Sequence, residues 1–189
     1  AAQAQAPNAW INELHYDNVS GDEGEFVEVV VQNPGAFDLG DLEVRLYRDD
    51  GTRYGSIGDV AGDFTEGNTS GAFTVYSWEP SSIQNGPANG LALCYDDTAI
   101  QVLSYEGTFT GTEGDCADGI ESTDIGVDED PAPPPGHSLQ LTGAGAAYAG
   151  FAWSGPDPES PGEINDGQSF LSSPIVVDTD GTEDFTSLQ

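Results

Sequence analysis

The fold this sequence predicts is all-β, an antiparallel β-sandwich, and three observations predict it. Apolar residues come in short runs rich in Val, Ile, Leu, Phe, Tyr and Trp, several of them alternating with polar residues at period two. Gly (25 residues) and Pro (12 residues) are spread evenly between those runs, as frequent turns require. Helical spacing of apolar residues is nearly absent. Eight or nine short strands separated this way pack as two sheets face to face.

In order along the chain, residues 10–16 read as a strand on Ile11, Leu14 and Tyr16, with one irregularity in the alternation. A polar turn over residues 17–24 leads to the strongest strand signal, Glu25 to Val31, which Asn33-Pro34-Gly35 stops. Leu39 to Tyr47 follows, with Leu42, Val44 and Leu46 on one face, and Asp49-Asp50-Gly51 is a hairpin turn back into Thr52 to Ile57. Gly71 to Trp78 is the next strand. Leu91 to Tyr95 and Ile100 to Tyr105 form a hairpin across Asp96-Asp97, and 106–136 is acidic and loop-like. Ser138 to Thr142 and Tyr148 to Trp153 are short strands, and 154–167 is again Pro- and Gly-rich. This divides the chain into an arm (1–9), a domain (10–170) and an acidic tail (171–189).

Charge narrows the function. Thirty-four acidic residues stand against three Arg, at positions 45, 48 and 53, and no Lys, for a formal charge of −31. Such a surface repels nucleic-acid phosphates and anionic lipid headgroups, so neither is an expected partner. No run of apolar residues is long enough to span a bilayer, so membrane insertion is not expected either. The lack of Lys fits a salty or divalent-cation-rich medium outside the cell, where counterions screen self-repulsion. The Ala/Gln-rich start resembles a mature terminus left by signal-peptide removal. Cys94 and Cys116 are expected to form one disulfide, closing a loop that contributes about 3 kcal/mol by chain entropy; without a Cys-x-x-Cys pair, a sulfur-ligated metal is the weaker reading.

Several short motifs occur in a particular order: Trp10-Ile-Asn-Glu-Leu-His-Tyr16, Gly24-Glu-Phe-Val-Glu-Val29, Phe37-Asp-Leu-Gly-Asp-Leu42, Tyr76-Ser-Trp78, Ser81 to Gly86, Gly90-Leu-Ala-Leu93, Leu103 to Gly107, Ser138-Leu-Gln-Leu141 and Pro161-Gly-Glu-Ile-Asn165. In that order they resemble the lamin-tail domain family in its secreted prokaryotic form, over residues 8–170. The resemblance implies an immunoglobulin-like sandwich without enzymatic activity, of a kind that occurs in secreted nucleases, other exported hydrolases and cell-surface proteins, where it mediates attachment or assembly.

Candidate sites are few. Asp17, Asn18, Asp22, Glu23 and Glu25 place several oxygens within nine residues, enough for part of a Ca²⁺ shell, although acidic turns are expected anyway in this composition. Asp178, Asp180 and Asp184 echo a Ca²⁺ loop more weakly, without its closing bidentate Glu. No nucleophile or zinc motif surrounds His15 or His137, and a non-enzyme is expected. Arg45 and Arg53 are expected to pair with carboxylates across their own hairpin; alternatively Arg45, Arg48 and Arg53 form the one cationic patch that docks on an identical chain. Trp10, Trp78 and Trp153 read as core residues, with a sugar-stacking platform as the alternative. Asn18 and Asn68 head N-glycosylation sequons. Ile175, Val176 and Val177, with the N-terminal arm, are candidate donor strands for a neighbouring subunit. The expected function is an extracellular or cell-surface structural subunit that self-associates into a homo-oligomer or filament, with Ca²⁺ as its cofactor. The alternatives are an accessory domain of a larger secreted hydrolase such as a nuclease, and an adhesion module for surface polysaccharide.

Overall fold

The computed structural model describes residues 5–19 and 21–172. The predicted donor segment Ile175 to Val177 and the tail carboxylates Asp178, Asp180 and Asp184 lie outside the described residues. Twelve strands form among the described ones: β1 (Ala9–His15), β2 (Phe26–Gln32), β3 (Leu42–Tyr47), β4 (Arg53–Asp59), β5 (Thr65–Ser70), β6 (Phe73–Trp78), β7 (Gly90–Tyr95), β8 (Thr98–Ser104), β9 (Thr123–Asp124), β10 (His137–Gly145), β11 (Phe151–Pro158) and β12 (Gln168–Phe170).

They make two sheets. The first runs β11-β10-β1-β2-β6-β5, with β12 beside β10, and the second runs β4-β3-β7-β8-β9. Every pair is antiparallel except β10 with β12 and β8 with β9. The sheets close over one core to which β1 contributes Ile11 and Leu14, β2 Val27, Val29 and Val31, β3 Leu42, Val44 and Leu46, and β7 Leu91 and Leu93. This is the expected immunoglobulin-like sandwich. The broken alternation in β1 is a bulge between Ile11 and Glu13, which inserts one residue against β2 and keeps Leu14 pointing inward.

Both sheets are also covered on their outer faces. Alternate residues of the first sheet, Trp10, Val30, Phe73, Val75 and Leu141, form a second apolar cluster under Ile164 and Phe170 of the segment 159–171. On the second sheet, Tyr47, Ala92, Cys94 and Val102 lie under Phe109, Cys116 and Ala117 of the segment 106–122. That double burial is why β2 reads as a nearly continuous apolar run and not as a clean alternation.

Four elements differ from the sequence-based expectation, one of them β9, a two-residue strand inside the stretch 106–136 read as loop. β5, Thr-Glu-Gly-Asn-Thr-Ser, is an edge strand with no buried side chain, so no apolar period marks it. β11 begins at Phe151 and continues to Pro158, because Tyr148–Gly150 forms a 3₁₀ turn instead of strand. β12 lies beyond the Pro- and Gly-rich stretch; at three residues it is too short to show a period.

Candidate functional site

Polar side chains collect at three places. The first is the outer face of the first sheet. Glu13 and Glu28 are register partners across β1 and β2, and both have no solvent exposure. Glu13 Oε1 accepts from Ser138 Oγ (2.6 Å), Gln140 Nε2 (3.2 Å) and the Ser160 amide (2.8 Å), while its Oε2 accepts from Ser160 Oγ (2.9 Å). Glu28 Oε1 accepts from Asn12 Nδ2 (2.9 Å) and its Oε2 from the Gly162 amide (2.8 Å). Asn12 and Gln168 exchange a reciprocal pair of amide hydrogen bonds, and Asn165 Nδ2 donates to the carbonyls of Asn12 and Leu141. Residues from the first, second, eighth and ninth of the quoted motifs, separated by up to 153 positions, thus meet in one buried network. No cation reaches it. Burial, above all, pushes both carboxyls above the usual carboxylate range, Glu28 furthest, with Glu13 as its like-charged neighbour.

The second place is one end of the sandwich, where the β1–β2 turn meets residues 79–89, 105–107 and 125–136. His15 is fully buried; its Nδ1 stands 2.8 Å from Glu129 Oε1 and its Nε2 2.8 Å from Asn18 Nδ2. With Asn18 donating to Nε2, the proton sits on Nδ1 and is donated to Glu129. Glu129 Oε2 accepts from the amides of Tyr16 and Asp17 at 2.8 and 2.7 Å, and the Tyr16 hydroxyl donates to Glu106. The hydrogen bond and charge of Glu129 outweigh burial and raise the His15 pKa.

The predicted Ca²⁺ residues are placed unequally at this end. Asn18 is buried, and its Oδ1 accepts from the Glu23 amide at 2.6 Å, so both ends of its side chain are engaged. Asp17 and Asp22 are exposed enough to reach solvent, and they share one donor: Asn85 Nδ2 stands 3.0 Å from Asp17 Oδ1 and 3.3 Å from Asp22 Oδ1. Glu25 is buried, with Oε2 accepting from the Ile83 amide at 2.8 Å and Oε1 without a hydrogen-bond partner. Burial first, and repulsion from acidic neighbours after it, raises the pKa of Asp17, Glu25 and Glu106. Among the described residues, no three His, Cys, Asp or Glu side chains stand together as a ready-made metal shell.

The third place holds all three cations, beside the second sheet. Arg45 is buried, with Nη2 2.7 Å from Glu43 Oε2, Nη1 2.8 Å from Asp97 Oδ1 and 3.9 Å from Asp115 Oδ2. Arg53 Nε stands 3.6 Å from the same Asp115 oxygen, and the Tyr47 hydroxyl donates to Asp115 at 2.8 Å. The Arg48 guanidinium lies over the Tyr54 ring at 5.0 Å. The Arg45 and Arg53 partners sit on the same strand, on the β7–β8 turn and on the covering segment, not across the β3–β4 hairpin. Cys94 and Cys116 form the expected disulfide, with Cα atoms 6.2 Å apart, and bind that covering segment to β7.

Of the remaining candidates, Trp10 and Trp78 are core residues, and Trp153 donates from Nε1 to the Tyr148 hydroxyl. Asn68 is exposed on β5, whereas Asn18 is buried in the bonds described above. No described helix is long and apolar enough to cross a membrane. Comparison with known protein families, curated proteins and solved structures gives no match.

Sequence reasoning missed Glu13, Glu28, Asp115 and Glu129. For Glu28 a signal existed: an acid inside Phe-Val-Glu-Val-Val-Val, apolar on both strand faces, has nowhere solvated to point. Asp115 and Glu129 lie in loops of ordinary acidic composition, which carry no such mark.

Proposed function

We propose that this chain is a non-catalytic structural subunit of an extracellular or cell-surface assembly, and that its acidic end is a contact surface cemented by divalent cations such as Ca²⁺. One observation carries this reading. Asp17 and Asp22 converge on a single amide nitrogen at an exposed edge, with no third acid among the described residues to complete a shell. Two carboxylates supply at most about four of the 6–8 oxygens that Ca²⁺ takes, and a second chain is the natural source of the rest. A cation there also offsets the repulsion from Asp22, which adds to burial in raising the Asp17 and Glu25 pKa values.

Other features support the reading. A subunit of −31 needs cations to approach its own copies. The disulfide fits an oxidising compartment. The paired carboxylates that most resemble acid–base machinery, Glu13 and Glu28, are sealed beneath a covering segment and saturated with hydrogen bonds, as a structural role requires.

Light scattering and electron microscopy with Ca²⁺ and with chelator test this. Ca²⁺ should drive association, and the double variant Asp17→Asn, Asp22→Asn should lose the response while keeping its thermal midpoint. A monodisperse monomer at every Ca²⁺ and salt level overturns the proposal.

A further inference from the structure

We infer that Asn85 is a site of spontaneous deamidation, and that its conversion to a carboxylate tunes the cation contact at Asp17 and Asp22. The modification rests on the loop alone, and the tuning rests on the cation reading of that edge.

The chain holds two Asn-Gly pairs, Asn85-Gly86 and Asn89-Gly90. In such a pair the glycine nitrogen can attack the side-chain amide carbon of the asparagine, because no Cβ shields it, and this reaction is one reason Asn is a thermolabile residue. The sequence gives both pairs the same intrinsic reactivity. The fold separates them.

Asn89 is buried, with Oδ1 accepting from the Asp49 amide at 3.1 Å and Nδ2 donating to the Asn85 and Gly86 carbonyls at 2.9 and 3.1 Å. Gly90 opens β7 and is paired on both sides, with Tyr47 of β3 and Ser104 of β8. A Cβ at Gly90 would overlap the Leu103 carbonyl, so the backbone there has no room to swing toward a neighbouring side chain.

Asn85 differs on each count. Its side chain is exposed, it lies in a loop and not in a strand, and its Oδ1 accepts no hydrogen bond among the described residues. The Gly86 amide also donates none among the described residues, so the attacking nitrogen is free. Gly86 stands at φ 93° with open space where a Cβ would point.

The reaction balances with water as its only co-reactant. The Gly86 nitrogen gives its proton to solvent and bonds to Asn85 Cγ, the Cγ–Nδ2 bond breaks, and ammonia leaves. Water then opens the cyclic imide at one carbonyl or the other, leaving aspartate or isoaspartate. Asn85 Nδ2 is the donor that Asp17 and Asp22 share, at 3.0 Å from Asp17 Oδ1 and 3.3 Å from Asp22 Oδ1. In the aspartate product that donor becomes a third charged oxygen ligand, which repels the other two until a cation joins them. Ca²⁺ affinity rises with the number of charged ligands, so the contact strengthens as the chain ages.

Peptide mapping by mass spectrometry of folded protein held in mildly alkaline buffer tests the modification, through the gain of about 1 Da that separates a carboxyl group from an amide. Asn85 should convert at least about tenfold faster than Asn89, which reacts only after local opening of its loop and strand. In urea the two rates should converge. Folded protein in which Asn85 stays intact, or converts no faster than Asn89, overturns the modification. By isothermal titration calorimetry, Asn85→Asp should bind Ca²⁺ several-fold more tightly than Asn85→Gln, which stays an amide. Measurable but equal binding by the two variants overturns the tuning. Binding by neither defeats the cation reading together with the tuning that rests on it, and the mapping result stands apart from both.

Discussion

The two outer faces of this sandwich solve one problem with different chemistry. Each sheet buries apolar side chains on its solvent side beneath a loop segment, 106–122 on the second sheet and 159–171 on the first. Over the second sheet the cover is tied by the Cys94–Cys116 disulfide and by Asp115, which meets Arg45, Arg53 and the Tyr47 hydroxyl. Over the first there is no disulfide and no cation, and the cover is held by amides and hydroxyls donating to two buried carboxyls. With only three Arg, all beside the second sheet, acids on the first cannot be neutralised by ion pairing. Hydrogen bonds hold their oxygens, and burial raises their pKa values. The lesson is that in a cation-poor chain buried acids work as acceptors.

The largest expected effect follows from removing the acceptor on the first sheet. Glu13→Ala removes the acceptor of the Ser138 hydroxyl and the Ser160 amide in a buried site, while Gln140 and the Ser160 hydroxyl keep other acceptors, and should lower unfolding free energy by about 3–4 kcal/mol. Hydrogen exchange separates the two faces. Amides of 160–170 should lose protection while those of 109–122 keep it; equal loss on both would show that the covers act as one unit.

The reverse experiment is nearly as large. The double variant Cys94→Ser, Cys116→Ser should cost about 3 kcal/mol, since the bridge closes a loop 22 residues apart in sequence. Limited proteolysis should then cut within 106–122 and spare 159–171. Cleavage in the other cover first would contradict the separation of the two faces.

Proton binding gives a third and smaller contrast. Glu13, Asp17, Glu25, Glu28 and Glu106 all hold their protons more tightly in the fold than in the unfolded chain. An acid raised in this way adds stability that is full below its unfolded pKa and is lost as pH climbs through the folded value. His15, also raised, has the same sign. The thermal midpoint should therefore fall steadily from pH 5 to pH 8, opposite to the acid lability of proteins whose carboxylates are salt-bridged. In Glu28→Gln the slope should flatten, because the group raised furthest no longer titrates.

Sequence patterning carried the sandwich and most of its strands, because β2, β3 and β7 are long enough to show which faces are buried. It could not show β5, where Thr65 to Ser70 presents no apolar residue to any period. The Cys pair was legible because two half-cystines leave one pairing. The carboxyl network was half legible: most of its residues, though not Ser160 or Gln168, fall inside the quoted motifs, yet one acid among 34 looks like another until the partner 125 or more positions away is in place. The distinction between Asp17, facing solvent, and Glu25, buried eight residues later, depends on which loop folds over the turn. That is a property of tertiary packing and has no local signature.

The smallest effect sharpens the comparison from the cationic side. Arg45 places Nε and Nη2 on one oxygen of Glu43 and Nη1 on Asp97, a fork that a single ammonium cannot reproduce. Arg45→Lys keeps the charge and loses the geometry, so it should cost about 1 kcal/mol, near the upper end for a partly exposed ion pair. Asp97 is largely exposed, so part of this interaction is open to screening. In 1 M NaCl, with a Debye length of about 3 Å, the gap between wild type and variant should narrow. The Glu13→Ala gap, which depends on hydrogen bonds in a site closed to solvent, should hardly change. Measuring both variants by urea unfolding at low and high salt thus separates an interaction held by charge beside the second sheet from one held by acceptors on the first, and equal salt dependence would remove that distinction.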